Sequence, residues 1–277
     1  MPDGATGGGE RSSNGSTLGR RCRGAMFPLR DDVPSRTRPV VMLALIGLNL
    51  AVFLFQGALG TDALERTLYL YGVIPARFAD PAWAAEVGFP SAGSLSLRTL
   101  APFVTSQFLH GDLLHLAGNL WTLWIFGDNV EDRLGARRFG CFYLLCGVAA
   151  AAVHVAVNPA STVPAIGASG AISGVMGAYL MSYPRARLVV LVPVLFYPLF
   201  LELPATIYLG FWFVLQFSSG AVSLVQAPEA GGVAFWAHVG GFVAGIALLP
   251  VFLIGRRLRR VSRDEFVLER PWIDRRG

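Results

Sequence analysis

The chain has 277 residues, of which 53% are hydrophobic and 15% charged, with a mean hydropathy of +0.52. An average soluble domain is roughly half apolar and a quarter charged, so this composition excludes an ordinary soluble domain and indicates a protein that crosses a membrane several times. All 23 basic residues are arginine and the isoelectric point is near 9.5, but the arginines gather at the ends of apolar segments, which reads as membrane orientation and not as nucleic-acid binding. Cys22, Cys141 and Cys146 form neither a disulfide framework nor a metal-ligand pattern, and no cofactor or metal is expected.

In chain order, residues 1–38 are rich in Gly, Ser and Arg and lack the apolar stretch of a secretory signal. They are expected to form a disordered tail. Asp3, Glu10, Asp31 and Asp32 argue against a transit peptide, which is poor in acids. A membrane-spanning helix needs about 20 mostly apolar residues, and six segments meet or approach this: Pro39 to Leu59, Gln107 to Gly127, Phe139 to Val157, Ala165 to Tyr183, Leu203 to Ser219 and Val233 to Ile254. Between the first two, Gly60 to Ser106 mixes charges with Phe78, Trp83 and Phe89 and reads as a long external loop resting on the bilayer. Leu188 to Phe200, broken by Pro193 and Pro198, reads as an interfacial lead-in to the fifth helix. The expected fold class is all-α, a six-helix membrane domain over residues 39–255, followed by a basic tail over 256–277.

Twenty of the 23 arginines fall in the N-terminal tail, after helices two and four, and after helix six, leaving Arg66, Arg77 and Arg98 in the long loop. The positive-inside rule then predicts both termini in the cytoplasm. The expected setting is a bacterial plasma (inner) membrane. Helices two, four and six therefore run in one direction, from the outer face inward.

That shared direction groups four polar residues. Ser169 is about four residues, and His238 about five, below the outer ends of their segments, which at 1.5 Å per residue puts both roughly 6 to 8 Å deep. His115 and Asn119 are four apart, hence on one face of helix two, and also lie in its outer half. Polar groups within a span are costly and usually face the bundle interior or a water-filled cavity. A lone His or Asn there is commonly hydrogen-bonding glue between helices, but a matched set with a serine points to chemistry. Small residues at steps of four, Gly170, Gly174 and Ala178 on helix four and Ala237, Gly241 and Gly245 on helix six, permit close backbone approach. If these stripes face each other, Ser169 and His238 come within hydrogen-bond reach; ordinary tight packing would use the same stripes.

Gly167-Ala168-Ser169-Gly170, His110-x4-His115-x3-Asn119, Ala237-His238-Val239-Gly240-Gly241 and Glu131-x3-Gly135 resemble, in order and in helix placement, the rhomboid family of intramembrane serine proteases. The resemblance covers Pro39 to Gly255. It implies Ser169 as nucleophile and His238 as general base in a dyad without an acidic third member, His115 and Asn119 as oxyanion-stabilising residues together with the Ser169 N–H, and Gly167, Gly170, Gly174, Gly241 and Gly245 as helix-packing positions. It also implies transmembrane protein substrates, cut near the outer end of their helix, and makes helix five and the external loop natural gates. His110 matches a position near the mouth of helix two, with a structural role. The chain departs from some members at Ser173, where an aromatic ring would pack on the histidine, and in lacking a Trp-Arg pair in the first loop. Either another residue holds the His238 ring or its orientation is looser.

Other protease chemistries fit less well. A zinc enzyme wants two histidines four apart around a glutamate, whereas His110 and His115 are five apart. Asp112 and Asp128 lie towards opposite ends of helix two, with no matching acid on a second helix. The Gly-x-Ser-x-Gly elbow is absent because position 171 is Ala. A catalytically silent fold that binds membrane clients, and a transporter, which would show inverted repeats or broken helices, are the remaining alternatives.

Overall fold

The computed structural model describes residues 26–89, 97–194, 197–224 and 234–256. Most of the two expected tails, at 1–25 and 257–277, lies outside the described residues, as does Val233. From the N-terminus the elements are β1 (Phe27–Asp31), α1 (Val40–Gly57), α2 (Thr61–Tyr71), α3 (Ala76–Ala79), α4 (Pro81–Glu86), α5 (Leu97–Leu100), α6 (Pro102–Thr105) and α7 (Leu113–Leu134). They continue with α8 (Ala136–Val157), α9 (Ser169–Ser182), β2 (Arg187–Val194), β3 (Tyr197–Pro204), α10 (Ala205–Ser223) and α11 (Phe235–Leu253).

Six helices, α1 and α7 to α11, make the bundle. Among the described residues α1, α8, α10 and α11 have the length and apolarity to cross a membrane unaided. In α7 the apolar run is diluted by His115, Asn119, Asp128 and Asn129. α9 has only 14 residues, about 21 Å at 1.5 Å per residue, short of the roughly 30 Å hydrocarbon layer. It is also the most enclosed helix, buried continuously from Gly170 to Tyr179. A short helix walled by others can end beneath the surface because protein, not lipid, meets its unpaired end.

Local chemistry sets the helix ends. Asp112 caps α7 by accepting from the His115 N–H at 2.8 Å, which is why this helix starts later than the apolar run at Gln107; it stops where Gly135 turns to φ 80°. Pro39, ahead of α1, provides no side-chain cap. The buried Glu131 carboxylate on α7 does so instead, accepting from the N–H groups of Val41 (3.0 Å) and Met42 (2.7 Å), an anion at the positive end of a helix. The core between α7, α8 and α9 is filled by Phe126, Phe139, Phe142, Tyr143 and Tyr179, all fully buried.

Two expectations change here. The region 26–38 belongs to the fold: β1 pairs antiparallel with β2, and β2 with β3, in a three-stranded sheet. It is tied to the bundle through Asp31, whose Oδ2 accepts from Asn129 Nδ2 (2.7 Å) and the Tyr179 hydroxyl (2.5 Å). The segment from Leu188 to Phe200 forms the β2 and β3 hairpin in place of an interfacial lead-in. Its prolines fit because Pro193 lies beyond the β1 pairing and faces Pro198, so the two positions without an N–H oppose each other. The long loop from Gly60 to Ser106 is largely helical, α2 to α6.

Candidate active site

Residues Ala165 to Ala168 do not continue α9 upward. Val73 and Ala165 exchange backbone hydrogen bonds at 3.0 and 2.8 Å, and the Gly167 N–H donates to the Ser106 carbonyl at 2.9 Å. Gly167 then takes φ +122°, a conformation that favours glycine, and α9 begins at Ser169. The expected helix from Ala165 is thus shortened, and Ser169 is its first residue. Its depth comes from the shortness of α9 rather than from turns of helix above it. The first N–H groups of a helix have no intrahelical acceptor, and here they lie at the serine.

His238, on the first turn of α11, reaches Ser169 directly: Nε2 lies 2.7 Å from Oγ. The two helices can approach so closely because their glycines meet. A Cβ on Gly241 would run into the Gly170 carbonyl, and one on Gly245 into the backbone of Gly174. Gly170 and Gly174 likewise leave no room towards Ala150 and Cys146 on α8. Ser169 is half-buried and His238 buried, so the hydroxyl is open to a partner while the ring is held.

On α7, His115 and Asn119 flank Gly167. A Cβ at 167 would lie 2.7 Å from His115 Nε2 and 3.6 Å from Asn119 Nδ2, so this glycine is needed for space as well as for its backbone angle. Asn119 Nδ2 is buried with no hydrogen-bond partner among the described residues, an amide donor held ready beside the turn that leads into Ser169. His110 is buried and sits edge-on to the His115 ring at 5.1 Å. The Gln56 amide on α1 holds both backbone groups of His110, accepting from its N–H and donating to its carbonyl at 3.1 Å each. His154 pairs with Asn158 at 3.2 Å.

Two residues that sequence reasoning missed complete the surroundings of His238. Gln216 on α10 places Oε1 2.8 Å from Nδ1, and the Trp212 ring lies 6.1 Å from the imidazole at 34°. The aromatic neighbour therefore comes from α10 and not from position 173; Ser173 is turned away, its hydroxyl donating to the Ser169 carbonyl at 2.6 Å. A signal existed in the amide of Gln216 within an apolar span, since polar groups there are costly, but only the fold shows which helix face it occupies. The whole arrangement offers a hydroxyl paired with an imidazole, an amide oxygen behind that imidazole, and an unpartnered amide and a second imidazole on α7 beside the turn that leads into the serine.

Comparison with known proteins bears on what this arrangement belongs to. Residues 97–255 match the family model described as Rhomboid domain. Similar proteins include the presenilin-associated rhomboid-like protein, mitochondrial, of Bos taurus (30% identical over 156 residues, 53% of this chain and 36% of the relative). The presenilin-associated rhomboid-like protein A, mitochondrial, of Danio rerio is 31% identical over 187 residues, 64% and 42% of the two chains. Rhomboid protein 1, mitochondrial, of Saccharomyces cerevisiae is 26% identical over 147 residues, 52% and 39%. The matched region spans less than half the length of each relative. All three carry mitochondrial names, which overturns the expectation of a bacterial plasma membrane. Of the four acids weighed in the N-terminal region, Asp31 lies in β1 and Asp32 accepts from the Arg187 N–H at 2.8 Å, so both serve the fold. With its family match over more than half of its length and these relatives, the chain belongs to the rhomboid family.

Proposed function

We propose that this protein is an intramembrane serine endopeptidase that cuts transmembrane helices of other membrane proteins, with Ser169 as nucleophile and His238 as general base. The observation that carries this reading is the 2.7 Å contact between Ser169 Oγ and His238 Nε2. A serine hydroxyl becomes an effective nucleophile only when a positioned base takes its proton. In the proposed reaction Oγ attacks the scissile carbonyl carbon while Nε2 takes the hydroxyl proton. The oxyanion that forms accepts hydrogen bonds from Asn119 Nδ2, from the His115 ring and from the Ser169 N–H, where donors fixed in advance in a low-dielectric site count most. The imidazolium then gives its proton to the leaving amine as the carbon–nitrogen bond breaks, and the same histidine activates water to hydrolyse the acyl-enzyme.

A peptide carbonyl in a helix is engaged in a backbone hydrogen bond, so the cut site must locally unwind before attack. Substrates are therefore membrane helices with Gly or Pro, weak helix formers, near the end that faces the start of α9. The test is cleavage of a single-span substrate in liposomes. Ser169→Ala and His238→Ala are each expected to abolish it, with the unfolding midpoint close to parental for Ser169→Ala and somewhat lower for His238→Ala, which empties a buried ring site. Undiminished cleavage by Ser169→Ala would falsify the assignment of the nucleophile, whereas a folded parent that cleaves nothing would leave client binding without cleavage as the better reading.

A further inference from the structure

Among the described residues the proposed base has no acid behind it, yet its second nitrogen is not idle. Nδ1 faces Gln216 Oε1 at 2.8 Å, while Nε2 faces the serine. A carbonyl oxygen can only accept, so this contact puts the ring proton on Nδ1 and leaves the Nε2 lone pair aimed at the Ser169 hydroxyl. Neutral imidazole has one donor and one acceptor nitrogen, and only this tautomer can take the serine proton. The opposite tautomer would direct an N–H at Oγ and disable the pair. Four residues earlier on α10, and so on the same helical face, Trp212 lies over the ring. Trp212 in turn packs against Phe242, one turn beyond His238 on α11 (ring centroids 5.9 Å). One face of α10 thus supplies both a hydrogen bond and a wall for the imidazole.

We propose that Gln216 is a positioning residue that fixes His238 in its Nδ1-protonated tautomer, an uncharged substitute for the carboxylate of a serine-protease triad. The proposal deepens the proteolytic reading and rests on it for its kinetic consequences only. An uncharged acceptor suits the setting: it orients the ring without burying an anion within the bilayer, which would be costly.

Three full-length proteins in lipid nanodiscs decide it: parent, Gln216→Leu and Gln216→Glu. Nitrogen NMR of the histidine rings, read at His238, requires no turnover. The parent is expected to show Nδ1 protonated and Nε2 unprotonated, and Gln216→Leu, which keeps the volume and removes the acceptor, to show a mixture of tautomers. In cleavage assays Gln216→Leu is expected to lose at least about tenfold in kcat with KM within about twofold, the pattern of a group acting through the base. Gln216→Glu keeps the acceptor and adds charge. It is expected to stay active, with the acid limb of its pH profile moved up by about one to three units, as an adjacent carboxylate favours the imidazolium. His115 and His154, the other titratable groups that act on His238, are unchanged in every variant. A purely structural role would leave the tautomer and the pH profile alone. An unaltered ring spectrum with parental kcat in Gln216→Leu, or a pH profile of Gln216→Glu that overlays the parent, overturns the proposal. Failure of the proteolytic reading is seen separately, as a folded parent that does not cleave or as cleavage that survives Ser169→Ala. Should Gln216→Leu not fold, the Gln216→Glu profile carries the kinetic test by itself.

Discussion

Two of the seams that α11 makes, those with α9 and α10, differ in kind. Against α9 it meets backbone with backbone: Gly241 on the Gly170 carbonyl and Gly245 on Gly174, with no side chain between to yield. Against α10 it meets through rings and one amide: Trp212 and Phe213 on Phe242, Phe217 on Trp236, and Gln216 on His238. α10 otherwise turns much of its surface outward, with Phe211, Val214, Leu215 and Phe217 exposed. The first seam fixes the distance between hydroxyl and imidazole, and the second fixes which way the imidazole faces. The proposed reaction centre of two residues thus depends on three helices joined by two different physical devices.

The glycine seam is the more brittle of the two. Gly245→Leu should cost about 3 kcal/mol or more, the upper end for overpacking, because the added atoms would meet backbone that no rotamer change can move. Thermal unfolding in detergent should show a large drop in the midpoint, or no folded protein, and activity should be lost with it. A small change would mean that the helices can separate without harm.

Asn119→Ala separates chemistry from framework. It removes a donor on α7 and disturbs neither seam, so kcat should fall roughly 100- to 1000-fold, as when one oxyanion donor is removed, with KM and the unfolding midpoint close to parental. A rise in KM alone would move Asn119 from the reaction to substrate binding.

The far end of α9 provides a contrast to both seams. Burial raises the carboxyl of Asp31 to about 7, against the lowering effect of the Tyr179 hydrogen bond. The folded protein then keeps a proton on Asp31 that the unfolded chain loses near pH 3.8. A group of this kind stabilises most at low pH, and its contribution falls as pH rises from about 4 to about 7. Asp31→Asn should flatten that slope in unfolding midpoints measured across the range while leaving cleavage at neutral pH unchanged. A slope as steep as in the parent would place the titration elsewhere.

The smallest effect is expected within the looser seam's own helix. Gly210 on α10 would meet nothing within 4 Å if given a Cβ, so Gly210→Ala should be neutral or stabilise by up to about 1 kcal/mol. Destabilisation comparable to that of Gly245→Leu would erase the distinction between the two seams.

These differences also explain what could be read from the sequence. The six apolar segments, the polar set of Ser169, His238, His115 and Asn119, and the paired stripes are local or periodic, and the structure brings those residues and stripes together. The start of α9 was hidden because Ala165 to Ala168 looks as helical as the residues after Ser169; its extended path depends on Val73 and Ser106, both more than fifty residues away. The strand at Phe27–Asp31 was hidden in a tail-like composition because its partner is β2, some 160 residues on. Gln216 was visible as an oddity but not as a partner of His238, since one amide in an apolar helix says nothing about which neighbour it faces. The expected bacterial plasma membrane, which the mitochondrial names of the relatives contradict, rested on no residue in the membrane domain.

The central claim, that His238 activates Ser169, is tested most directly by covalent labelling of the purified full-length protein with a fluorophosphonate, which requires no knowledge of the substrate. Parent protein is expected to be labelled at Ser169, and Ser169→Ala and His238→Ala not at all, with all three labelled below their unfolding midpoints. Equal labelling of the parent and Ser169→Ala, or labelling at Ser169 that persists undiminished in His238→Ala, would contradict it.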